Sequence, residues 1–169
     1  MSATSNNSTR GRPSSHWRAM PRVAVIGGNE AGTESLEFAF QMGRRIAEAA
    51  CVLVTGGRGG VMEAACRGAK TGGGMVLGIL PGLNRNEANP WVDIAVTTGL
   101  GHMRNALVVS NADFVVAVAG AYGTLSEIAH AGILGIPVFG LGTWEIPGVI
   151  PLQTPSQVME RILKSIETR

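Results

Sequence analysis

Charge and aromatic side chains are scarce in this sequence: 15% of its 169 residues are charged and 5% aromatic. Lysine occurs only as Lys70 and Lys164, aspartate only as Asp93 and Asp113. Each scarcity excludes something. No apolar run reaches the ~20 residues of a membrane-spanning helix, so no membrane partner is expected. Two cysteines, Cys51 and Cys66, without CxxC spacing or a secreted context, make neither a disulfide framework nor a zinc ribbon; they read as buried reduced thiols of a cytoplasmic protein. His16, His102 and His130 are scattered, and no metal site is expected. Net charge is +2, but Arg10, Arg12 and Arg18 alone give residues 1–20 a charge of +3, leaving −1 for the rest. The folded part therefore has no basic footprint for nucleic acid.

Residues 1–20 are Ser/Asn/Arg-rich and lack an apolar core segment, which excludes a secretory signal. A disordered polar tail is expected there, with an organelle transit peptide as the alternative and Met20 as a candidate second start. Residues 21–169 suit one domain.

What the sequence has in abundance is glycine, 24 residues, placed between short apolar runs. RVAVIG (22–27), CVLVTGG (51–57), MVLGILP (75–81), VDIAVTT (92–98), DFVVAVAG (113–120) and PVFGLG (137–142) read as strands. Helices are expected over 33–50, 60–71, 101–111, 123–135 and from Thr154 to about 167; Thr154-Pro155-Ser156-Gln157 has capping-box spacing with proline at the first helical position. Strands apolar on both faces, alternating with helices, predict an α/β, doubly wound, Rossmann-like domain: a parallel sheet of six to seven strands with helices on both faces. Ligands of such sheets bind at the carboxyl edge. The loops there are 27–33, 56–60, 81–91, 98–102 and 119–124.

A dinucleotide fits those loops poorly. In Gly27-Gly28-Asn29-Glu30-Ala31-Gly32 the middle glycine of GxGxxG is Asn29, and strand two ends in Thr55-Gly56 without an acid for a ribose, so NAD is not expected. A pyridoxal enzyme needs a lysine at the site, and neither lysine is expected at the carboxyl edge, so PLP is not expected either. TGGRGGVMEAA (55–65) is more informative: glycines and Arg58 run directly into a helix, whose free N–H groups and dipole favour a phosphate. Gly120-Ala121-Tyr122-Gly123-Thr124 repeats the arrangement. Candidate phosphate- or ligand-binding residues are Gly27, Gly28, Asn29, Gly56, Gly57, Arg58, Gly59, Gly60, Val61, Met62, Gly120, Tyr122, Gly123 and Thr124.

Glu127 admits two readings. Thr124-x-x-Glu127 has the spacing of a capping box, which alone would account for both residues. Arg104, expected on a helix opening at the same edge, makes the other: an arginine to hold an anion and a glutamate to act as general acid or base.

GGRGGVMEAACRGA, GHMRN and AGAYGTLSE together resemble the Lonely Guy family, once labelled lysine decarboxylase-like. Its pattern is a GGG-x-x-G-L-M loop, an upstream Arg and P-G-G-x-G-T-x-x-E. The resemblance covers residues 22–165 and implies catalytic roles for Arg104 and Glu127 if the protein is a hydrolase. It departs at Ala119, where the family has Pro, at Ala121, where it has Gly, and at Asn105, where it has Lys. Residues 92–142 and the run GILPG (78–82) are more similar to the branch that includes the molybdenum cofactor carrier proteins. That resemblance implies a phosphorylated, nucleotide-like ligand bound without efficient turnover, with molybdenum cofactor as cargo. The alternative is a nucleoside 5′-monophosphate phosphoribohydrolase of the cytokinin-activating type, with no cofactor required. Helices 102–111 and 123–135 are apolar nearly all round, so a homodimer or homotetramer is expected.

Overall fold

The computed structural model describes residues 19–168, so the tail reading lies outside the described residues up to Ser15, His16, Trp17 and Arg18. Seven strands form one sheet: β1 (Arg22–Gly27), β2 (Val52–Thr55), β3 (Val76–Leu80), β4 (Ile94–Thr97), β5 (Phe114–Val118), β6 (Val138–Leu141) and β7 (Val149–Pro151). Their order is β4-β3-β2-β1-β5-β6-β7, and every neighbouring pair is parallel. The expected doubly wound α/β sheet is therefore present. The chain winds outward from β1 to β4, returns to the middle at β5 and winds outward the other way.

Alternation along each strand divides the core in two. Val23, Val25, Leu53, Phe114 and Val116 face α1 (Thr33–Glu48), α2 (Val61–Thr71) and α5 (Pro155–Glu167). Ala24, Ile26, Val54, Val115 and Ala117 face α3 (Asn105–Ser110) and α4 (Tyr122–Leu134). The two-residue repeat of a strand puts neighbours on opposite faces, so a sheet covered on both sides must read as a continuous apolar run.

Three expectations are corrected. The expected helix over 101–111 is two pieces, a 3-10 turn at Gly101–Arg104 followed by the short α3. Strand β4 is Ile94–Thr97, shorter than the expected 92–98; just before it the Asp93 carboxylate accepts from the Val76 N–H and from Lys70 Nζ. The seventh strand, β7, completes the expected six to seven; it has three residues and ends in a proline that only an edge tolerates. Thr124 does not cap α4: the helix starts at Tyr122, its N-cap is Ala121, and no side chain caps it. The cause is the preceding turn, where Ala119 (φ 47°) and Gly120 (φ 101°) bend the chain early enough to start the helix two residues before the threonine.

Candidate ligand-binding site

The reversal of strand order falls between β1 and β5, where the loops leaving their carboxyl ends turn away from each other. A parallel sheet leaves its ligand crevice at such a point. Here the crevice has two compartments with shared walls. The inner one, about 160 Å³, is lined by the β1 loop (Gly27, Gly28, Asn29), the start of α4 (Ala121, Gly123, Thr124), and Met62, Arg104 and Glu127. The outer one, about 300 Å³, adds Arg58, Pro81 and Gly101. Asn29, Met62, His102, Arg104 and Asn105 border both.

Glycines shape the walls through their backbones. A Cβ on Gly56 would collide with the Arg104 guanidinium and, at 2.6 Å, with Met62 Sδ, so the glycine makes the slot in which Arg104 lies. Gly60, at φ 62°, sits against the Gly28 and Asn29 carbonyls and holds the β1 loop beside α2. Gly57 (φ 71°) and Gly120 also carry the positive φ that favours glycine.

Arg104 is buried (7% exposed), and its Nε has no hydrogen-bond partner among the described residues. A buried donor left unpaired costs about 1–3 kcal/mol. Burial lowers the Arg104 pKa, the nearby Glu127 charge raises it, and the Arg58 charge lowers it again. Glu127 is equally buried (6% exposed); burial lifts its carboxyl to about 7, against the opposing pull of Arg104. Neutral and ionised forms of Glu127 therefore coexist near pH 7 beside a permanent cation.

The helix starts complete the electrostatics. Neither α2, with Gly60 as N-cap, nor α4, with Ala121, has a side chain on its first N–H groups. The α5 start, at the far end of the sheet, is closed by the Thr154–Gln157 capping box, as its spacing predicts. The uncapped start of α4 beside a buried arginine has electrostatics that favour an anion, whereas the first N–H of α2 donates to the Gly28 carbonyl at 3.1 Å.

Of the residues marked in the sequence, Gly27, Gly28, Asn29, Met62, Gly123, Thr124, Arg104 and Glu127 meet in the inner compartment, and Arg58 in the outer. Val61 is fully buried in the core, packed beneath Gly27. Tyr122 points away into solvent (79% exposed) and stacks on Trp144 at 5.9 Å, while Trp144 Nε1 donates to the Ala121 carbonyl. Gly59 approaches only Glu63. Asn105 gains a role that motif matching missed. Its Nδ2 donates to Ser126 Oγ (3.0 Å) and to the Gly123 carbonyl (3.3 Å), tying the start of α3 to the first turns of α4. The sequence signal was the family's lysine position, which reads as a loss until the amide's bonds are seen. Lys70 lies elsewhere, bound to Asp93 and the Gly74 carbonyl.

The family model described as the SLOG cluster4 family matches residues 20–166. The molybdenum cofactor binding protein of the phototrophic bacterium Rippkaea orientalis superposes with a TM-score of 0.83 at 37% identity, over 87% of this chain and 98% of that one. The molybdenum cofactor carrier protein of Chlamydomonas reinhardtii superposes with a TM-score of 0.80 at 30% identity, over 88% and 99%. A protein of Oryza sativa subsp. japonica named "Probable cytokinin riboside 5′-monophosphate phosphoribohydrolase LOGL9" is 28% identical over 79% of this chain. The match covers 62% of the rice protein, less than two thirds of its length.

Proposed function

The chain belongs to the SLOG cluster4 family, as its Lonely Guy-like motifs imply, and on that premise we propose that it binds a phosphorylated, nucleotide-like ligand in the β1/β5 cleft without efficient turnover. The observation that carries this reading is the buried Arg104 lining the cleft beside the open start of α4. The ligand's phosphate sits on the first N–H groups of α4 and is held by Arg104. Its planar part lies along Met62 and His102, which border both compartments. The volume is at the lower end of the range for small-molecule sites, ~300 Å³ and upward, as a part-exposed carried ligand requires.

Molybdenum cofactor is the cargo this reading favours, because it is a phosphorylated pterin and the Rippkaea and Chlamydomonas proteins are named for it. The residues present suit the phosphate end of such a group: a buried guanidinium, uncapped helix N–H groups and a glycine-shaped slot. Two buried free thiols suit a reducing, cytoplasmic setting.

Turnover is disfavoured by the carboxylate count. Among the residues lining the two compartments only Glu127 is acidic, whereas glycosidic hydrolysis through an oxocarbenium-like transition state ordinarily uses two carboxyl groups. One observation favours the phosphoribohydrolase reading: a carboxyl held at about 7 is well placed for general acid work. In that reading Glu127 protonates the departing base and Arg104 holds the ribose phosphate.

Titration calorimetry with AMP, and AMP displacement by inorganic phosphate, tests the binding reading. Arg104→Met should weaken AMP by at least about tenfold, the scale of one hydrogen bond to a charged group, while the circular dichroism spectrum is kept. Unchanged AMP affinity in a folded Arg104→Met protein would remove the phosphate from this cleft.

A further inference from the structure

The outer compartment is lined by Arg58, Arg104 and His102, with no carboxylate among its wall residues. Arg58 and Arg104 line the same space, and the Arg58 charge is among the causes that lower the Arg104 pKa. Two like charges kept around one cavity are an unfavourable arrangement in the free protein. The partial remedy is Glu87, which approaches Arg58 Nη1 at 3.5 Å, with side-chain exposures of 40% and 42% for Arg58 and Glu87. That separation is long for a charge-assisted pair, and solvent screens it. The pair is therefore easily displaced. The backbones around it are fixed: Asn89 Nδ2 donates to the Arg58 carbonyl and the Asn89 N–H to the Gly57 carbonyl, both at 2.9 Å. Turning Arg58 from Glu87 into the cavity thus requires side-chain rotation and no loop movement.

Taking the phosphate-binding reading of the inner compartment as given, we propose that the outer compartment is a second anion subsite. Its ligand carries two anionic groups, as a nucleoside diphosphate does. The first group lies on the α4 start; the second lies between Arg104 and Arg58, and Glu87 occupies Arg58 until the ligand displaces it.

The test compares AMP with ADP, and phosphate with pyrophosphate, by calorimetry on the full chain at constant pH and salt. ADP should bind at least about tenfold tighter than AMP, the scale of one added charge-assisted contact. Arg58→Gln should bring the two within about twofold. Glu87→Gln should tighten ADP by about two- to fivefold, as the loss of an exposed competing pair implies. Arg85→Gln, an exposed change on the same loop outside the cleft, should leave the preference intact. Equal AMP and ADP affinities, a preference that survives Arg58→Gln, or one that Arg85→Gln also abolishes would overturn the second subsite and leave the first standing. If neither nucleotide nor either inorganic anion binds, the phosphate reading falls, and the second subsite with it.

Discussion

Glu127 sets the pH behaviour of the site. Its carboxyl is raised to about 7, mainly by burial, so folding favours its neutral form. The stability it contributes is fully present below the unfolded glutamate value near 4.5 and is lost as pH rises to about 7. The ceiling is on the order of 3 kcal/mol, from about 1.4 kcal/mol per pKa unit. Between pH 4.5 and pH 7.5 the Tm of the wild type should therefore fall relative to that of Glu127→Gln. Exposure of Arg104 to a neutral neighbour shifts that variant by a constant amount and leaves the slope as the readout. AMP affinity should also weaken from pH 7 to pH 8.5 in the wild type, as an ionised Glu127 repels phosphate, and stay flat in Glu127→Gln. Ala119 offers a separate test. At φ 47° it pays the left-handed penalty of a non-glycine residue, so Ala119→Gly should raise urea-unfolding stability by up to about 1 kcal/mol. The same angle is closed to proline, whose φ lies near −65°; this loop cannot follow the path that the family's proline would impose.

At the scale of elements, two threonines with the same downstream spacing behave differently. Thr154 caps α5 because Pro155 fixes the first helical residue and Gln157 reaches back to the N-cap backbone. Thr124 does not cap α4, because the positive φ of Ala119 and Gly120 starts the helix earlier. Local spacing makes the first legible and the second misleading, since a residue's φ is not written in a capping pattern. Thr154→Ala should cost about 1 kcal/mol in chemical denaturation, the usual value of an N-cap. Helices α1 and α2 touch backbone to backbone at two glycines: a Cβ on Gly43 would collide with the Ala65 carbonyl, and one on Gly68 with the Phe40 carbonyl. Gly43→Ala should cost about 2 kcal/mol or more, because main chain must move. The partners of Gly43 and Gly68 were not legible in the sequence, because contacts between helices have no local signature.

At the scale of the molecule, the fold was legible because both faces of the sheet are covered and its strands had to be apolar throughout. The cleft was partly legible. Glycine loops and Arg104 stood at strand ends, whereas the bonds of Asn105 and the outward turn of Tyr122 depend on how α3 and α4 meet. Those two helices and the 3-10 turn before α3 also leave Met103 (77%) and Ile133 (79%) exposed, and Leu107 and Leu134 partly so. A second copy covering that face is the expected remedy. Light scattering should give at least twice the 17.6 kDa chain mass, and Ile133→Glu with Met103→Glu should reduce it to one chain. The central claim is binding of a phosphorylated ligand without turnover, and its most direct test is a single incubation. The protein is held with AMP and with a cytokinin riboside 5′-monophosphate, and bound ligand and released ribose 5-phosphate are quantified together, with Glu127→Gln alongside. The account predicts saturable binding and no ribose 5-phosphate above the level of the Glu127→Gln protein. Ribose 5-phosphate that accumulates over many turnovers and disappears in Glu127→Gln would contradict it and make the chain a phosphoribohydrolase.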